Sequence, residues 1–182
     1  MIRPIARSAV LLVLALATLP AQAGPPPEPS GYRLDDYRAP TPATLAGATV
    51  LDTARAEALW KQRGAIFVDV LPHPPKPAEL PAGTLWRDPP HETIVGAVWL
   101  PEVGRGALAA ATEDYFKRSL AELTHGRREE ALVFFCKKDC WMSWNAAKRA
   151  LGYGYGRVYW YADGVDGWKG AGLALETVKP RP

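Results

Sequence analysis

The feature that most limits how this chain can fold is the segment ALVFFCKKDCWMSWNAAKRAL (131–151), which holds both of its cysteines. Residues 132–135 form the apolar run of a buried strand, whereas residues 146–150 favour a helix. A short loop containing Cys136 and Cys140 joins the two. Backbone N–H groups at the start of a helix favour an anion in such a bend, for example a thiolate. If the protein carries out chemistry, we expect it at this loop.

The amino-terminal residues predict export. Arg3 and Arg7 precede an apolar run at 9–19, and the small residues of Ala-Gln-Ala at 21–23 follow it, as in a secretory signal peptide. The apolar run is shorter than the about 20 residues that a membrane span needs. We therefore expect residues 1–23 to be removed and the mature chain to begin at Gly24, with no membrane span left.

Charge and cysteine content narrow the function classes. Residues 1–23 contain two arginines and no acidic residue, so their removal lowers the net charge from +3 to +1. Such a balance gives no reason to expect nucleic acid or an anionic membrane as a partner. Two cysteines in an exported protein suggest a disulfide. A bridge across so short a loop would add little stability, which favours a reactive pair.

Two proline-rich segments interrupt the alternation of predicted strands and helices along the chain. Residues 24–48 are expected to form a tether or an extended arm, without visible chemistry. Residues 71–93 contain seven prolines and are expected to lack regular structure. Long loops inside compact domains are often functional, so Trp86, Arg87 and His91 are second candidate site residues. The alternative is that Trp86 pins the loop to the body while the other two are solvated.

The rest of the chain alternates strands and helices. Thr53 and Thr112 are predicted to cap helices that end near Gly64 and Gly126. Strands are predicted at 65–70, ending near Asp69, and within 94–101, 132–135, 157–161 and 173–178, with a short helix inside 164–172. This order predicts one α/β domain over 49–182, with a central parallel sheet covered by helices on both faces.

Four of these segments resemble the rhodanese family of sulfurtransferases. They are AIFVDV (65–70), IVGAVWLP (94–101), LVFFC (132–136) and GRVYWYADGVDGW (156–168), in the order and spacing of that family. More narrowly, TLWRDPPHETIVGAVWLPEVGRG (84–106) and CKKDCWMSWNAAKRA (136–150) are similar to exported bacterial rhodanese-like proteins with a paired-cysteine-Trp (CxxxCW) motif. That resemblance implies a periplasmic location and an association with pyrroloquinoline-quinone-dependent alcohol catabolism.

The resemblance also implies roles for the loop. Cys136 occupies the position of the cysteine that carries a persulfide, inside a loop whose amides surround it. Lys137 and Lys138 would favour its thiolate. Asp139 and Trp141 stand where many rhodaneses have Gly and an oxyanion-binding Arg, which argues against thiosulfate:cyanide transfer and against a related phosphatase, because Arg149 lies too late in the helix.

Cys140 is the second departure from that family. Residues four apart can approach closely enough for a disulfide, so Cys140 is a candidate resolving thiol. Three uses stay open: a redox or sulfur relay, a stable structural bridge, and a soft metal site with His91 as a third ligand. Neither a metal nor a cofactor is required by the sequence.

Other side chains around the loop receive secondary roles. One of Trp141 and Trp144 is expected to roof the site while the other packs inside. Asp69 is expected to accept a hydrogen bond from a loop amide. Ser143 is expected to cap the helix, and Asn145 to cap or orient the loop.

Two functions from different classes follow. The first is sulfur transfer or thiol–disulfide exchange by Cys136 and Cys140, in support of a quinoprotein alcohol dehydrogenase system. Its partners would be a sulfur donor and acceptor, or a thiol protein. The second is a non-catalytic accessory module that binds a redox cofactor, a metal or a partner protein.

Overall fold

The computed structural model describes residues 24–81, 83–87 and 89–182, so the predicted signal peptide at 1–23 lies outside the described residues. Five parallel strands form the central sheet: β1 (Thr49–Leu51), β2 (Ile66–Asp69), β4 (Val98–Trp99), β5 (Ala131–Phe135) and β6 (Arg157–Tyr161). Their order across the sheet is β1-β6-β5-β2-β4. The predicted parallel sheet is therefore confirmed.

Helices cover both faces of this sheet, as predicted. They are α1 (Thr53–Lys61), α2 (Ala110–Leu123), α3 (Trp141–Gly152) and α4 (Gly164–Gly170). All five residues of β5 are buried, and successive side chains of a strand point to opposite faces. Leu132 and Phe134 thus pack with α2 and α3, whereas Val133 and Phe135 pack with α1 and α4. In the described residues, no helix is long and apolar enough to cross a membrane.

The strand register brings the candidate residues to one end of the sheet. Phe135, the last residue of β5, pairs with Asp69 on one side and with Tyr161 on the other. Parallel strands place their carboxyl ends together, where ligands of open α/β folds gather. Cys136, which directly follows β5, and Asp69, the last residue of the adjacent strand β2, therefore both lie at this carboxyl end.

A small second sheet was not predicted. It pairs β3 (His91–Ile94) with β7 (Leu175–Val178) in an antiparallel register that sets His91 opposite Val178. The expectation that residues 71–93 lack regular structure is therefore wrong for the last three residues. The prolines end at Pro90, so the backbone N–H groups beyond it are available for a ladder.

The predicted helix caps need correction. Asp52, not Thr53, caps α1, because its carboxylate accepts a hydrogen bond of 2.8 Å from the Arg55 amide. Thr112 lies inside the first turn of α2, which begins without a side-chain cap after Ala109. Ser143 does not cap α3, because its hydroxyl donates to the Cys140 carbonyl and accepts from the Trp160 indole.

The proline-rich arm at 24–48 packs against the domain. Leu45 belongs to the core on the α2 and α3 face, and Tyr37 packs against that core. The Glu28 carboxylate accepts hydrogen bonds from the Ala46 amide and the Thr44 hydroxyl, and these bonds hold its pKa below the usual value. The arm contains no helix or strand, but it is neither a tether nor fully extended: the bonds of Glu28 to residues 44 and 46 turn it back on itself, and it packs against the domain.

Candidate active site

The two cysteines are joined by a disulfide at the carboxyl end of β5. Their Cα atoms are 6.4 Å apart, and the bridge closes the loop between β5 and α3. Cys136 is 0% exposed and Cys140 2% exposed, whereas Lys137, Lys138 and Asp139 between them are exposed. The loop therefore presents its charged residues to solvent and its sulfur atoms to the protein interior.

Backbone contacts with the start of α4 hold this loop in place. The Cys136 carbonyl accepts a hydrogen bond of 2.9 Å from the Val165 amide, and the Asp166 carboxylate accepts one of 3.1 Å from the Lys138 amide. Gly164 has a φ of +52°, and a Cβ there would collide with the Cys136 carbonyl. The start of α4 thus holds the cysteine loop in place.

Two of the loop amides are engaged away from the sulfur in this oxidised form. The Lys138 amide is taken by Asp166, and the Trp141 amide donates to the Tyr37 carbonyl of the arm. The polar neighbours of the Cys136 sulfur are the carbonyl oxygens of Cys140, at 3.5 Å, and Lys137, at 3.7 Å. A thiolate stabilised by loop amides stays a prediction for the reduced protein.

The arm, rather than a tryptophan, covers the start of α3. The indole of Trp141 donates to the Pro40 carbonyl, and the indole of Trp144 donates to the Thr44 carbonyl. Both rings are buried, so the expectation that one of them roofs the site is wrong. Sequence reasoning assigned the arm no role here, although a buried indole N–H needs an acceptor.

Asn145 and Arg149 connect α3 to the arm and to residues 103–106. The Asn145 side chain bonds both the amide and the carbonyl of Arg33, and it also donates to the Gly104 carbonyl. The expectation that it caps or orients the cysteine loop is therefore not met. Arg149 donates to three backbone carbonyls, so its guanidinium is engaged in hydrogen bonds within the domain.

A second group of polar residues lies at the carboxyl end of β2. The Asp69 carboxylate accepts from the Leu71 amide at 2.9 Å, from the Thr93 hydroxyl at 2.7 Å and from the Nε2 atom of His91 at 2.8 Å. The amide that Asp69 binds is thus the one just after its own strand, not one of the cysteine loop. His91 also stacks on Trp99 with ring centroids 3.9 Å apart.

Of these residues, Leu71, His91 and Trp99 border a cavity of about 470 Å³. Its walls combine His91 and Trp99 with Lys137 of the cysteine loop. The proline-rich segment at 71–93 contributes a further wall, which contains His73 and prolines 72, 74, 75, 89 and 90. Trp86 is half-buried and Arg87 is exposed, and neither lines this cavity. Of these three candidate site residues, only His91 lines the cavity together with Lys137 of the cysteine loop.

The metal alternative receives no geometric support in the part of the chain that the structure describes. There, no three His, Cys, Asp or Glu side chains come together in a way that could hold a metal ion. Both cysteines are engaged in the disulfide, and His91 is bonded to Asp69.

The disulfide is expected to contribute only modestly to stability. Because the bridged residues are four apart, loop-closure entropy gives at most about 2 kcal/mol. Urea unfolding with and without dithiothreitol should show the wild-type protein losing up to that amount on reduction. The Cys136→Ala, Cys140→Ala double variant should be insensitive to the reductant. A loss of about 4 kcal/mol or more on reduction would mark the bridge as a main structural element.

Comparisons with known proteins identify the fold. No family model matches the sequence, and a search of curated proteins gave no match. Among solved structures, a thiosulfate sulfurtransferase from Pseudomonas aeruginosa is similar over 74% of this chain and 21% of its own, with a TM-score of 0.50 and 19% identity. A 30 kDa polysulfide-sulfur transferase homodimer from Wolinella succinogenes is similar over 72% and 80%, with a TM-score of 0.45 and 20% identity.

The first of these likenesses shows that the fold is rhodanese-like, as the sequence resemblance implied. This chain spans about a fifth of the length of that protein. At such low identity the likeness shows the fold alone, so the chemistry has to be argued from the residues of this chain.

Proposed function

We propose that this chain is an exported, periplasmic rhodanese-like protein that performs sulfur transfer or thiol–disulfide exchange. In this proposal Cys136 is the nucleophile and Cys140 is the resolving thiol. The observation that carries it is the Cys136–Cys140 disulfide directly after the central strand β5, at the carboxyl end of a rhodanese-like sheet. The short loop supports reactivity over reinforcement, because its closure adds little stability.

In the sulfur-transfer version, the reduced pair receives a sulfane sulfur. The Cys136 thiolate attacks a persulfide donor, forms a Cys136 persulfide and releases the donor as a thiolate. The Cys140 thiolate then attacks the Cys136 sulfur, which forms the disulfide and releases hydrosulfide. Two electrons and two protons from a partner dithiol, itself oxidised to a disulfide, restore the pair.

In the exchange version, the disulfide itself is the reactant. A partner thiolate attacks one sulfur, a mixed disulfide forms and the other cysteine leaves as a thiolate. The second thiol of the partner completes the exchange, so that the partner is oxidised and the pair is reduced. Both versions end or begin at the bridge seen here, and both need only sulfur chemistry.

The physiological setting is part of the proposal. The signal-like residues at 1–23 support export, and the segments 84–106 and 136–150 support a link to pyrroloquinoline-quinone-dependent alcohol catabolism. The partner would then be a sulfur donor or acceptor, or a thiol protein, acting alongside the quinoprotein dehydrogenase system.

One observation favours the rival function, a non-catalytic accessory module. Both sulfur atoms belong to nearly fully buried residues, and the arm covers the start of α3 next to them. Catalysis at this pair would require an opening of the loop or of the arm. A module that binds a cofactor, a metal or a partner protein would not require it.

A persulfide assay separates the two functions. We expect polysulfide treatment of the reduced Cys140→Ala variant to add one sulfur atom to Cys136, detected by mass spectrometry after alkylation. In the wild-type protein the same treatment should release hydrosulfide and yield the disulfide. The Cys136→Ala, Cys140→Ala double variant is the matched control and should take up no sulfur.

A redox titration tests the exchange version. The pair should behave as a reversible dithiol with a potential above about −300 mV, where catalytic and exposed disulfides lie. A bridge that stays oxidised in excess glutathione would count as structural. Cells carrying the Cys136→Ala, Cys140→Ala double variant provide a further test. If they grow normally on alcohols, this result contradicts the proposed catalysis and favours the accessory module.

A further inference from the structure

The cavity beside the cysteine loop contains a histidine whose orientation is fixed from two sides. The Nε2 atom of His91 bonds the Asp69 carboxylate, and the His91 ring stacks on Trp99 at an angle of 15°. Asp69 is 1% exposed and the His91 side chain 10% exposed. Because a hydrogen bond holds the edge of the ring and stacking holds its face, the ring has little freedom to rotate. The position of its other nitrogen, Nδ1, is therefore fixed.

The hydrogen bonds of Asp69 determine which nitrogen of His91 carries the proton. The carboxylate already accepts from the Leu71 amide and the Thr93 hydroxyl, so it also acts as an acceptor toward His91. His91 therefore donates through Nε2–H, and in the neutral imidazole Nδ1 carries a lone pair. Asp69 is thus a positioning residue that sets this tautomer.

The Nδ1 atom is available to a ligand. Among the residues that the structure describes, none makes a hydrogen bond to Nδ1. Nδ1 is also not among the fully buried side-chain atoms without a partner, so it is accessible from outside. His91 lines the cavity, which has apolar walls from Leu71, Val165 and Leu175. The charged residues Glu92, Lys137, Asp166 and Lys169 also line the cavity. Nδ1 of His91 is the acceptor whose direction is fixed there, and beside the apolar walls it suits a molecule with an apolar body and one S–H or O–H donor.

We propose that this cavity binds a small thiol with an apolar body, whose S–H donates to His91 Nδ1. The choice of a thiol rests on the proposed function, and on Lys137, which lines the cavity and directly follows Cys136. On reaction the thiol gives its proton to Nδ1, leaving a thiolate and an imidazolium that the Asp69 carboxylate stabilises. The thiolate is the species that attacks a disulfide.

Binding is tested with benzyl mercaptan as the probe and with the Cys136→Ala, Cys140→Ala double variant, in which no covalent reaction with the pair can occur. Titration by nuclear magnetic resonance should show benzyl mercaptan binding about tenfold more tightly than benzyl methyl sulfide, which lacks the donor. His91→Gln in this background should remove the difference. His125→Gln is the matched control, because His125 lies in an exposed turn.

The tautomer gives a second readout that does not depend on a ligand. The chain has three histidines, so the imidazole nitrogen signals can be assigned individually. His91 should show the Nε2–H form, and Asp69→Asn should shift it toward Nδ1–H. An Nδ1–H form in the wild-type protein would overturn the proposal, whether or not the Asp69→Asn variant folds.

The outcomes also separate this inference from the proposed function. Binding of benzyl mercaptan by the double variant supports the cavity site even where the cysteine pair proves inert. Equal affinity for the mercaptan and its methyl sulfide overturns the inference even where the pair is redox-active. Benzyl alcohol binding as tightly as the mercaptan would assign the cavity to an O–H donor and overturn the choice of a thiol.

Discussion

Replacing Trp144 by alanine is expected to lower the free energy of unfolding by about 3–5 kcal/mol. The ring is fully buried in α3 and contacts Trp141 edge to face, and its indole donates to the Thr44 carbonyl of the arm. The substitution therefore removes a large core side chain and one attachment of the arm together. Trp144→Phe keeps most of the ring and should cost only about 1–2 kcal/mol, chiefly the lost hydrogen bond.

Urea unfolding measures these changes, and limited trypsin digestion reports on the arm. Cleavage after Arg33 or Arg38 should be faster in the Trp144→Ala protein than in the wild type. Trp60→Ala is the matched control, because Trp60 is a half-buried tryptophan of α1 whose indole donates to Val95, away from the arm. Equal cleavage of the arm in the two alanine variants would contradict this role for Trp144.

The second large effect is expected from Arg149→Met. The buried guanidinium donates to the carbonyls of Val103, Arg105 and Gly106, at 2.8 to 3.1 Å. Hydrogen bonds from a charged group contribute about 1.5–3 kcal/mol each, and the substitution leaves the three acceptors unpaired while it relieves the burial of a charge. We expect a net loss of about 3–5 kcal/mol.

Thermal unfolding checks this expectation, since 1 kcal/mol shifts the Tm by about 2–4 °C in a chain of this size. Arg157→Met removes the same charge from an exposed position of β6 and should leave the Tm nearly unchanged. Similar shifts in the two variants would mean that the charge alone, rather than the three hydrogen bonds, decides the stability.

Much of the fold could be predicted because the sequence patterns that determine its strands and helices each lie within one short segment. The apolar run at 132–135 lies within β5 (Ala131–Phe135), and the helix-favouring residues at 146–150 lie within α3 (Trp141–Gly152). The close sequence spacing of Cys136 and Cys140 likewise made a bridge geometrically accessible. Asp69 was placed at the end of β2 because a buried strand rarely continues past a charged residue into a run of prolines.

The errors concern contacts between distant parts of the chain. The pairing of β3 with β7 joins residues 91–94 to residues 175–178. Neither segment has a sequence pattern that indicates the strand with which it pairs. The bond between Asp69 and His91 depends on that pairing, which brings β3 to the carboxyl end of the parallel sheet. The cover that the arm forms over Trp141 and Trp144 was missed for the same reason.

The arm has a consequence for the entropy of folding. Ordering a segment without regular structure costs about 1–2 kcal/mol per residue in backbone entropy, which a short apolar contact rarely offsets. Proline lowers this cost, because its ring already restricts the unfolded chain to few conformations. Pro40 and Pro42 stand between the attachments at Tyr37 and Thr44. The composition that predicted a tether or an extended arm therefore also lowers the entropic cost of docking this segment on the domain.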